Sequence, residues 1–197
     1  MRNPSKLSVH LAGCLIVLAS APTLAGETIE ASAATNPAPA EAFSGFDRFE
    51  VSSIAMSSPY AGQPANEQAR KDLQADLDKR IQSWVGERHA QPAQHDPART
   101  LLVEPRIDKV RFISTGARLW AGALSGTSRV LVKVKITDKA TGAVIAEPEF
   151  YQQARGMAGA WTFGAADKAM LEREADLVVD YLRSNYEHAV GGTTGKP

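Results

Sequence analysis

Residues 118–160 decide the fold of this 197-residue chain. They read R-L-W-A-G-A-L-S-G-T-S-R at 118–129, V-L-V-K-V-K-I-T-D at 130–138, K-A-T-G at 139–142, A-V-I-A-E-P-E-F-Y-Q-Q-A at 143–154 and R-G-M-A-G-A at 155–160. Apolar residues occupy every second position from 130 to 136, which is typical of a strand with one face on a core and the other largely in water. Asp138 and Gly142 supply turn residues, so this stretch predicts an antiparallel hairpin.

The hairpin also predicts which residues meet across it. Core-facing residues occupy even-numbered positions in both strands, so we expect three pairs: Ile136 with Val144, Val134 with Ala146, and Val130 with Phe150. Pro148 cannot donate a ladder hydrogen bond, which predicts that the return strand lies at an edge or bends there.

Both outer ends of the hairpin carry the string R-x-x-A-G-A, and the expected register places the two copies side by side. Small residues permit close approach of another backbone, and exposed aromatic groups beside them would mark a contact surface. The candidate contact residues are Arg118, Trp120, Gly122, Gly126, Arg155, Gly159 and Trp161. Three alternatives stay open: internal packing against the helices, protein or self-association, and a membrane-contacting ribbon.

The remaining elements surround this hairpin. Apolar residues at helical spacing predict a helix over residues 66–85, capped by Asn66 and ended by Gly86. A second helix is predicted over 165–186 in the same way. Strand candidates lie within 43–56 and 100–113, the latter with a bulge near Asp108-Lys109 and with Pro105 at an edge or bend. These elements predict an α+β fold, a mixed or antiparallel sheet of about four strands with two helices packed on one face.

The N-terminal residues indicate export. Positive Arg2 and Lys6 precede a short apolar run, and Thr23-Leu24-Ala25 suits cleavage before Gly26, so residues 1–25 are predicted to be a signal peptide. Cys14 follows Leu-Ala-Gly in the manner of a lipobox, but the apolar run continues after it, which disfavours lipidation. Residues 26–42 are predicted to be a flexible linker, 43–188 a single domain and 189–197 a disordered tail.

Composition excludes several classes of protein. The chain has 22 basic and 22 acidic residues, and loss of the signal would leave it slightly acidic, so no nucleic-acid binding is expected. Cys14 is the only cysteine, so a cleaved chain would have no thiol chemistry. His89 and His95 match no metal-ligand spacing and are expected to be solvated. We therefore expect no metal and no cofactor.

No motif of catalysis is recognisable. The sequence lacks a nucleophile elbow and His-Glu-x-x-His. Glu104, Glu147 and Glu149 lie beside prolines in strands and could form paired carboxylates, although strand glutamates are more often solvated. A cleft that gathers these three with an arginine would favour an envelope hydrolase, which is the alternative to our prediction that the chain is not an enzyme.

The second half of the chain resembles a known family. The stretches that carry the resemblance are L-V-E-P-R at 102–106, the segment 118–126, V-x-V-x-I-T-D-x-x-T-G, A-E-P-E-F-Y and F-G-A-A-D. They resemble small exported proteobacterial proteins of unknown function, several of them described as lipoproteins. The architecture is similar to the N-terminal domain of TolB and the periplasmic part of the curli-secretion lipoprotein. The resemblance implies an envelope location and supplies no catalytic residue.

These observations predict a non-enzymatic periplasmic or cell-envelope binding or assembly domain. It would contact another envelope protein, or a second copy of itself, through the hairpin end and an edge strand. A lipid-anchored protein of the outer membrane, or an outer-membrane-associated oligomer that uses the hairpin as a membrane ribbon, is the alternative.

Overall fold

The computed structural model describes residues 28–112, 127–155 and 164–197. The strands run over Thr35–Asn36 (β1), Arg48–Val51 (β2), Ala55–Met56 (β3), Thr100–Arg111 (β4), Thr127–Asp138 (β5), Val144–Ala146 (β6), Glu149–Arg155 (β7) and Gly192–Thr193 (β8). The helices are Pro64–His89 (α1) and Ala165–Ser184 (α2), and a 3-10 turn covers Phe43–Gly45.

The main sheet has six strands within the described residues, in the order β2, β4, β5, β6, with β3 also on β4 and β7 also on β5. β2 and β3 run parallel to β4, and the other pairs are antiparallel, so the predicted α+β class with a mixed sheet is confirmed. The strand count exceeds four because the outer strands are each divided in two, β2 from β3 and β6 from β7.

Both helices bury their apolar stripes in one core with the sheet. From α1 come the predicted residues Ala69, Leu73, Leu77, Ile81 and Trp84, and from β5 come Val130, Val132, Val134 and Ile136, all buried. The opposite face of β5 exposes Lys133 and Lys135, as the alternation predicts. Each buried branched side chain contributes roughly 1.5–3 kcal/mol by leaving water.

The first helix is longer than the sequence predicts. It begins at Pro64 and ends at His89, so Asn66 lies inside its first turn and donates its amide to the carbonyl of Tyr60 at 3.0 Å. Gly86 does not end it, because Arg88 in the next turn lies over the ring of Tyr186, 4.5 Å from its centroid, and packs the last turn against the core.

Pro105 lies in a central strand, not at an edge or bend, and our prediction there was wrong. The N–H of Val134, opposite Pro105, points away and donates to Pro148 at 2.9 Å, so this pair exchanges no hydrogen bond. The nitrogen of Pro105 therefore faces the gap between β2 and β3, whose pairing with β4 stops at Val103 and resumes at Arg106. The missing donor costs nothing because no acceptor strand lies there.

The register of the hairpin differs by two residues from our expectation. Ile136 lies opposite Ala146, and Val132 lies opposite Phe150, because an irregularity between Ile136 and Thr137 adds to the turn. A shift of two residues leaves each side chain on the same face of the sheet, so Phe150 still faces the core. Val144, however, is exposed. The turn itself is as predicted, with Gly142 at a φ of 72°.

Two segments expected to be unstructured lie on the domain. Residues 28–40, here called the strap, contain β1, which pairs with β8 in the C-terminal segment 191–196, here called the tail. Ile29 and Ala31 are buried against Leu131 and Tyr151 on the outer face of the sheet. Composition argues against burial of such a segment, but main-chain pairing and a few apolar contacts are enough to hold it here.

The side chain of Asn36 takes the place of a strand at the outer edge of β7. Its amide nitrogen donates to the carbonyl of Glu149 at 2.9 Å, and its amide oxygen accepts the N–H of Glu149 at 2.9 Å. The tail continues this cover, because the N–H of Tyr151 donates to the carbonyl of Thr194 at 2.7 Å. The edge of the sheet is thus occupied by the chain itself.

Replacing Asn36 with alanine is expected to lower the free energy of unfolding by about 1–3 kcal/mol, because it leaves both backbone groups of Glu149 without their partner. Asn36→Asp is the matched control, since it keeps the acceptor and removes the donor. Urea unfolding with hydrogen exchange at the Glu149 amide measures both effects. Unchanged stability together with a protected Glu149 amide in Asn36→Ala would contradict this role.

Asp47 fastens the loop between α1 and β4. Its carboxylate accepts the N–H of Gln94 and that of Arg99, the latter at 2.8 Å, and lies 2.9 Å from Nδ1 of His95. These hydrogen bonds, that of Gln94 first, lower the pKa of Asp47 to about 2. Because the folded-state pKa lies below the ordinary value of 3.8, this stabilisation is present above that value and is lost as the pH falls through about 2.

Candidate functional site

A bowl of about 830 Å³ lies on the face of the sheet opposite the helices. Its floor is formed by β4, β5 and the β6–β7 connection. One wall is the strap, through residues that include Ser32, Ala33 and Asn36, and the other is the connection from β2 to β3, through Ser52, Ser53 and Ala55. Its volume is in the range of small-ligand sites, and ten of its sixteen lining residues carry a charge or a hydroxyl group.

Six charged side chains project into the bowl, three acidic and three basic: Glu104, Arg106, Lys133, Lys135, Glu147 and Glu149. Five of them come from outward-facing positions of β4, β5 and β7, and Glu147 comes from the connection between β6 and β7. The sheet brings them together because Glu104 lies opposite Lys135, and Arg106 lies opposite Lys133. The site therefore presents both signs of charge on one rigid surface.

Asp108 links the two basic residues of the second pair. One oxygen lies 3.6 Å from Nη2 of Arg106, and the other lies 3.3 Å from Nζ of Lys133. The side chains of Arg106 and Lys133 remain 52% and 46% exposed, whereas that of Asp108 is only 17% exposed. One carboxylate is thus shared between two cations that keep about half of their surface in water.

Glu149 holds the strap to the floor of the bowl. Its carboxylate accepts both the backbone N–H and the hydroxyl of Ser32. Lys133 lies opposite Glu149 in the β5–β7 register. The strap is therefore part of the site, since its removal would take away one wall and release the Glu149 carboxylate.

The predicted contact residues fall mostly where the structure gives no description. Arg118, Trp120, Gly122, Gly126, Gly159 and Trp161, and also Cys14, lie outside the described residues. The backbone of Arg155 ends β7 and lies opposite Thr127, the first residue of β5. The two repeated segments thus adjoin paired residues, and their role stays a prediction.

At the edges of the sheet, where we expected a partner to bind, other parts of the chain already contact the strands. At β7 the strap and the tail cover the edge, as described above. At the opposite edge, the N–H of Phe49 donates to Nε2 of His89 at 3.0 Å, and the N–H of Ile54 donates to the side chain of Gln74 at 2.7 Å. Both donors are satisfied by α1, which leaves the face of the sheet as the more open surface.

The three glutamates named from the sequence do meet with an arginine, since Glu104, Glu147 and Glu149 line the bowl together with Arg106. Arg106, Lys133 and Lys135 were not among the candidate site residues predicted from the sequence. The alternation of side chains in β4 and β5 predicts that these residues lie on the outer face of the sheet. It does not predict that other segments enclose that face.

Within residues 28–112, 127–155 and 164–197, no group of three or more His, Cys, Asp or Glu side chains is arranged to hold a metal ion. Among the helices of those same ranges, none has the length and apolar character needed to cross a bilayer.

Comparison with known proteins gives no family. No family model and no curated protein matches the sequence. Solved structures that are similar in part include PelC from Paraburkholderia phytofirmans, a dodecamer (16% identity, 78% of this chain and 95% of that one, TM-score 0.39). They also include a hypothetical protein from Chlamydia trachomatis (10%, 72% and 98%, 0.44) and a lipoprotein from Neisseria meningitidis (11%, 70% and 98%, 0.31). At these values the similarity assigns neither family nor activity.

Proposed function

We propose that this chain is a non-enzymatic binding or assembly domain of the cell envelope, and that it binds a partner protein at the bowl. The observation that carries the proposal is the set of six charged side chains gathered on the open sheet face. Complementary charge on a partner would give such a surface specificity and a fast association rate. The bowl is therefore the primary contact in this proposal.

The sequence supports the location. Residues 1–25 have the pattern of a signal peptide, so we place the domain in the periplasm, with lipid anchoring through Cys14 as the alternative. Mass spectrometry of the exported protein distinguishes the two, because cleavage before Gly26 and acylation of Cys14 give different N-termini.

The repeated Arg-x-x-Ala-Gly-Ala segments are a second proposed contact, for self-association or for an envelope protein. Their junctions with the described strands, Thr127 and Arg155, lie opposite each other, which supports a common surface. Gly122→Leu is the variant to compare with wild type in affinity capture from the envelope. An unchanged partner list would remove these segments from the proposal.

Site-specific photo-crosslinking tests the bowl. A photoreactive amino acid would replace Ala33 on the strap wall or Ser53 on the opposite wall, both exposed, in the full chain made in bacterial cells. Gln82 on the exposed side of α1 is the matched control position. We expect the same adduct from positions 33 and 53 and none from position 82. Equal adducts at all three positions, or none, would refute binding at the bowl.

A hydrolase is the second candidate, because Glu104, Glu147, Glu149 and Arg106 share the bowl. Two carboxylates can divide the roles of acid and nucleophile or base in glycoside hydrolysis. Glu149 is engaged by Ser32, which leaves Glu104 and Glu147 for such chemistry. Turnover of envelope glycans that is abolished by Glu104→Gln or Glu147→Gln, with no protein adduct from positions 33 and 53, would establish this candidate over the first.

A further inference from the structure

Two parts of the strap are held to the domain by different kinds of contact. In its second part, the hydroxyl of Tyr181 donates to the carbonyl of Pro37 at 3.0 Å, and the N–H of Ala40 donates to a carbonyl of β6 at 2.8 Å. Asn36 is buried and binds both backbone groups of Glu149. The strap is therefore tied to the body of the domain at closely spaced points from Asn36 onward.

The first part of the strap, residues 28–35, is here called the arm and buries little apolar surface. Only Ile29 and Ala31 of the arm are buried. They pack in a small cluster on the outer face of the sheet, separate from the main core. One isoleucine and one alanine offer little stabilisation against the entropy of ordering the whole arm. Segments with so few buried apolar contacts open at low free energy while the rest of a protein stays folded.

The other contacts of the arm include hydrogen bonds to β7 and to the tail. Ser32, which is exposed, donates its N–H and its hydroxyl to the Glu149 carboxylate. The carbonyl of Ala34 accepts the N–H of Thr194 at 3.0 Å, and that of Ala33 accepts the hydroxyl of Thr194 at 2.7 Å. Water replaces these partners when the arm leaves, so each bond contributes far less than its gross strength.

We propose that the arm is a hinged wall of the bowl, which swings about Asn36 while the sheet, the helices and the tail stay folded. Ser32, Ala33 and Thr35 line the bowl. Opening of the arm removes most of this wall and frees the Glu149 carboxylate. The complete bowl therefore exists only in the closed form. A partner that contacts the arm binds the closed form alone and shifts the equilibrium towards it.

Native-state hydrogen exchange of the full chain, purified after export, distinguishes opening of the arm from larger openings. The amides of Ser32 and Thr194, here called the arm amides, take part in bonds that the arm makes. The amide of Tyr151 donates to the tail, and that of Glu149 donates to the hinge residue. We expect the arm amides to exchange at least about tenfold faster, relative to their intrinsic rates, than these two, and the amides of β5 to exchange slowest.

Two variants change the opening of the arm in opposite directions. Ile29→Ser removes the larger buried side chain, so the arm amides should exchange about tenfold faster than in wild type, with β5 unchanged. Ala33→Ser, a polar change at an exposed position of the arm, is the matched control and should behave like wild type. Thr35→Cys with Thr193→Cys places cysteines at exposed Cα partners of β1 and β8, within the span of a disulfide. The disulfide should slow the arm amides about tenfold, and reduction should restore their rates.

Three results would overturn the hinged wall. The arm amides could exchange as slowly as those of β5, which would mean that the arm leaves only on global unfolding. The amides of Tyr151 and Glu149 could exchange as fast as the arm amides, which would mean that the strap and the tail leave together. The disulfide could leave the arm amides unchanged. Crosslinking at positions 33 and 53 tests the partner separately, so its failure would remove the binding function and leave the hinged wall intact.

Discussion

Replacing Glu174 with leucine is expected to stabilise the protein by about 1–3 kcal/mol near neutral pH, the cost of a buried polar group without adequate partners. Glu174 lies on α2, is fully buried, and neither carboxylate oxygen has a hydrogen bond of normal geometry to a described residue. Burial raises the pKa of Glu174 well above its usual range, and the N–H of Val132 offsets this only in part. For a chain of this size the midpoint temperature should rise by roughly 2–4 °C per kcal/mol.

The pH dependence of the wild type gives a second readout of Glu174. Its folded-state pKa is raised, so the folded protein holds this proton more tightly than the unfolded chain does. The resulting stabilisation is complete below the unfolded-state value of 4.5 and is lost as the pH rises through the raised folded-state value. Glu174→Gln should remove this component of the pH dependence, because an amide does not titrate in this range.

Asp180→Asn is the control for Glu174, because it removes an acidic charge from an exposed position of the same helix. It should leave both the stability and the pH dependence close to those of wild type. Chemical unfolding at several pH values measures all four proteins. A destabilised Glu174→Leu with an unaltered pH profile would mean that the carboxylate has a compensating partner.

Replacing Asn185 with alanine is expected to cost about 3 kcal/mol, because several buried groups lose their hydrogen bonds at once. The amide nitrogen of Asn185 donates to the carbonyls of Tyr181 at 2.8 Å and Gly191 at 3.0 Å. Its amide oxygen accepts the N–H groups of Val190 and Gly191, both at 2.8 Å. One fully buried side chain thus joins the end of α2 to the start of the tail.

Asn185→Asp is the matched variant, because it has nearly the same shape, keeps both acceptor interactions and removes both donors. We expect a loss at least as large as for alanine, because the new carboxylate is buried against the carbonyls of Tyr181 and Gly191, whereas the amides of Val190 and Gly191 stay protected. Urea unfolding and hydrogen exchange of these two amides measure the difference. If alanine leaves the stability unchanged and the two amides as protected as in wild type, the side chain does not hold the tail.

The regular elements of this fold could be predicted from the sequence because each combines a periodic pattern with local stop signals. A strand was expected around the alternating residues 130–136 and β5 runs over Thr127–Asp138, and the bulge near Asp108-Lys109 is seen as a register shift between Ile107 and Lys109. α2 was expected over 165–186 and ends at Ser184. Patterns of period 2 and 3.6 follow from backbone geometry, so they survive without knowledge of the tertiary structure.

The strap and the bowl could not be predicted in the same way. The strap has little apolar content, and what holds it is specific pairing: Asn36 with Glu149, Ser32 with the Glu149 carboxylate, and β1 with β8. Such contacts join residues more than a hundred positions apart and have no local signature. Without the strap, the charged face of the sheet has only one wall, which is why the glutamates looked merely solvated.

The burial of Glu174 was not predicted either, although its position relative to the apolar residues of α2 indicates it. It follows Met170 by four residues and precedes Val178 by four, which places it on the buried stripe of α2. An acidic residue on that stripe could have been identified as buried from the sequence alone. Its lack of good partners, however, depends on what the sheet presents to it.

The meeting of β1 with β8 joins segments that lie far apart in the sequence. The hydroxyl of Thr194 donates to the carbonyl of Ala33, 161 residues earlier, at 2.7 Å. A contact of such sequence separation forms late in a folding chain, because the entropy of closing the long loop must be overcome first. We therefore expect the strap and the tail to pair after the sheet and its helices have formed. The binding surface is then completed late in folding, wherever in the cell the chain folds.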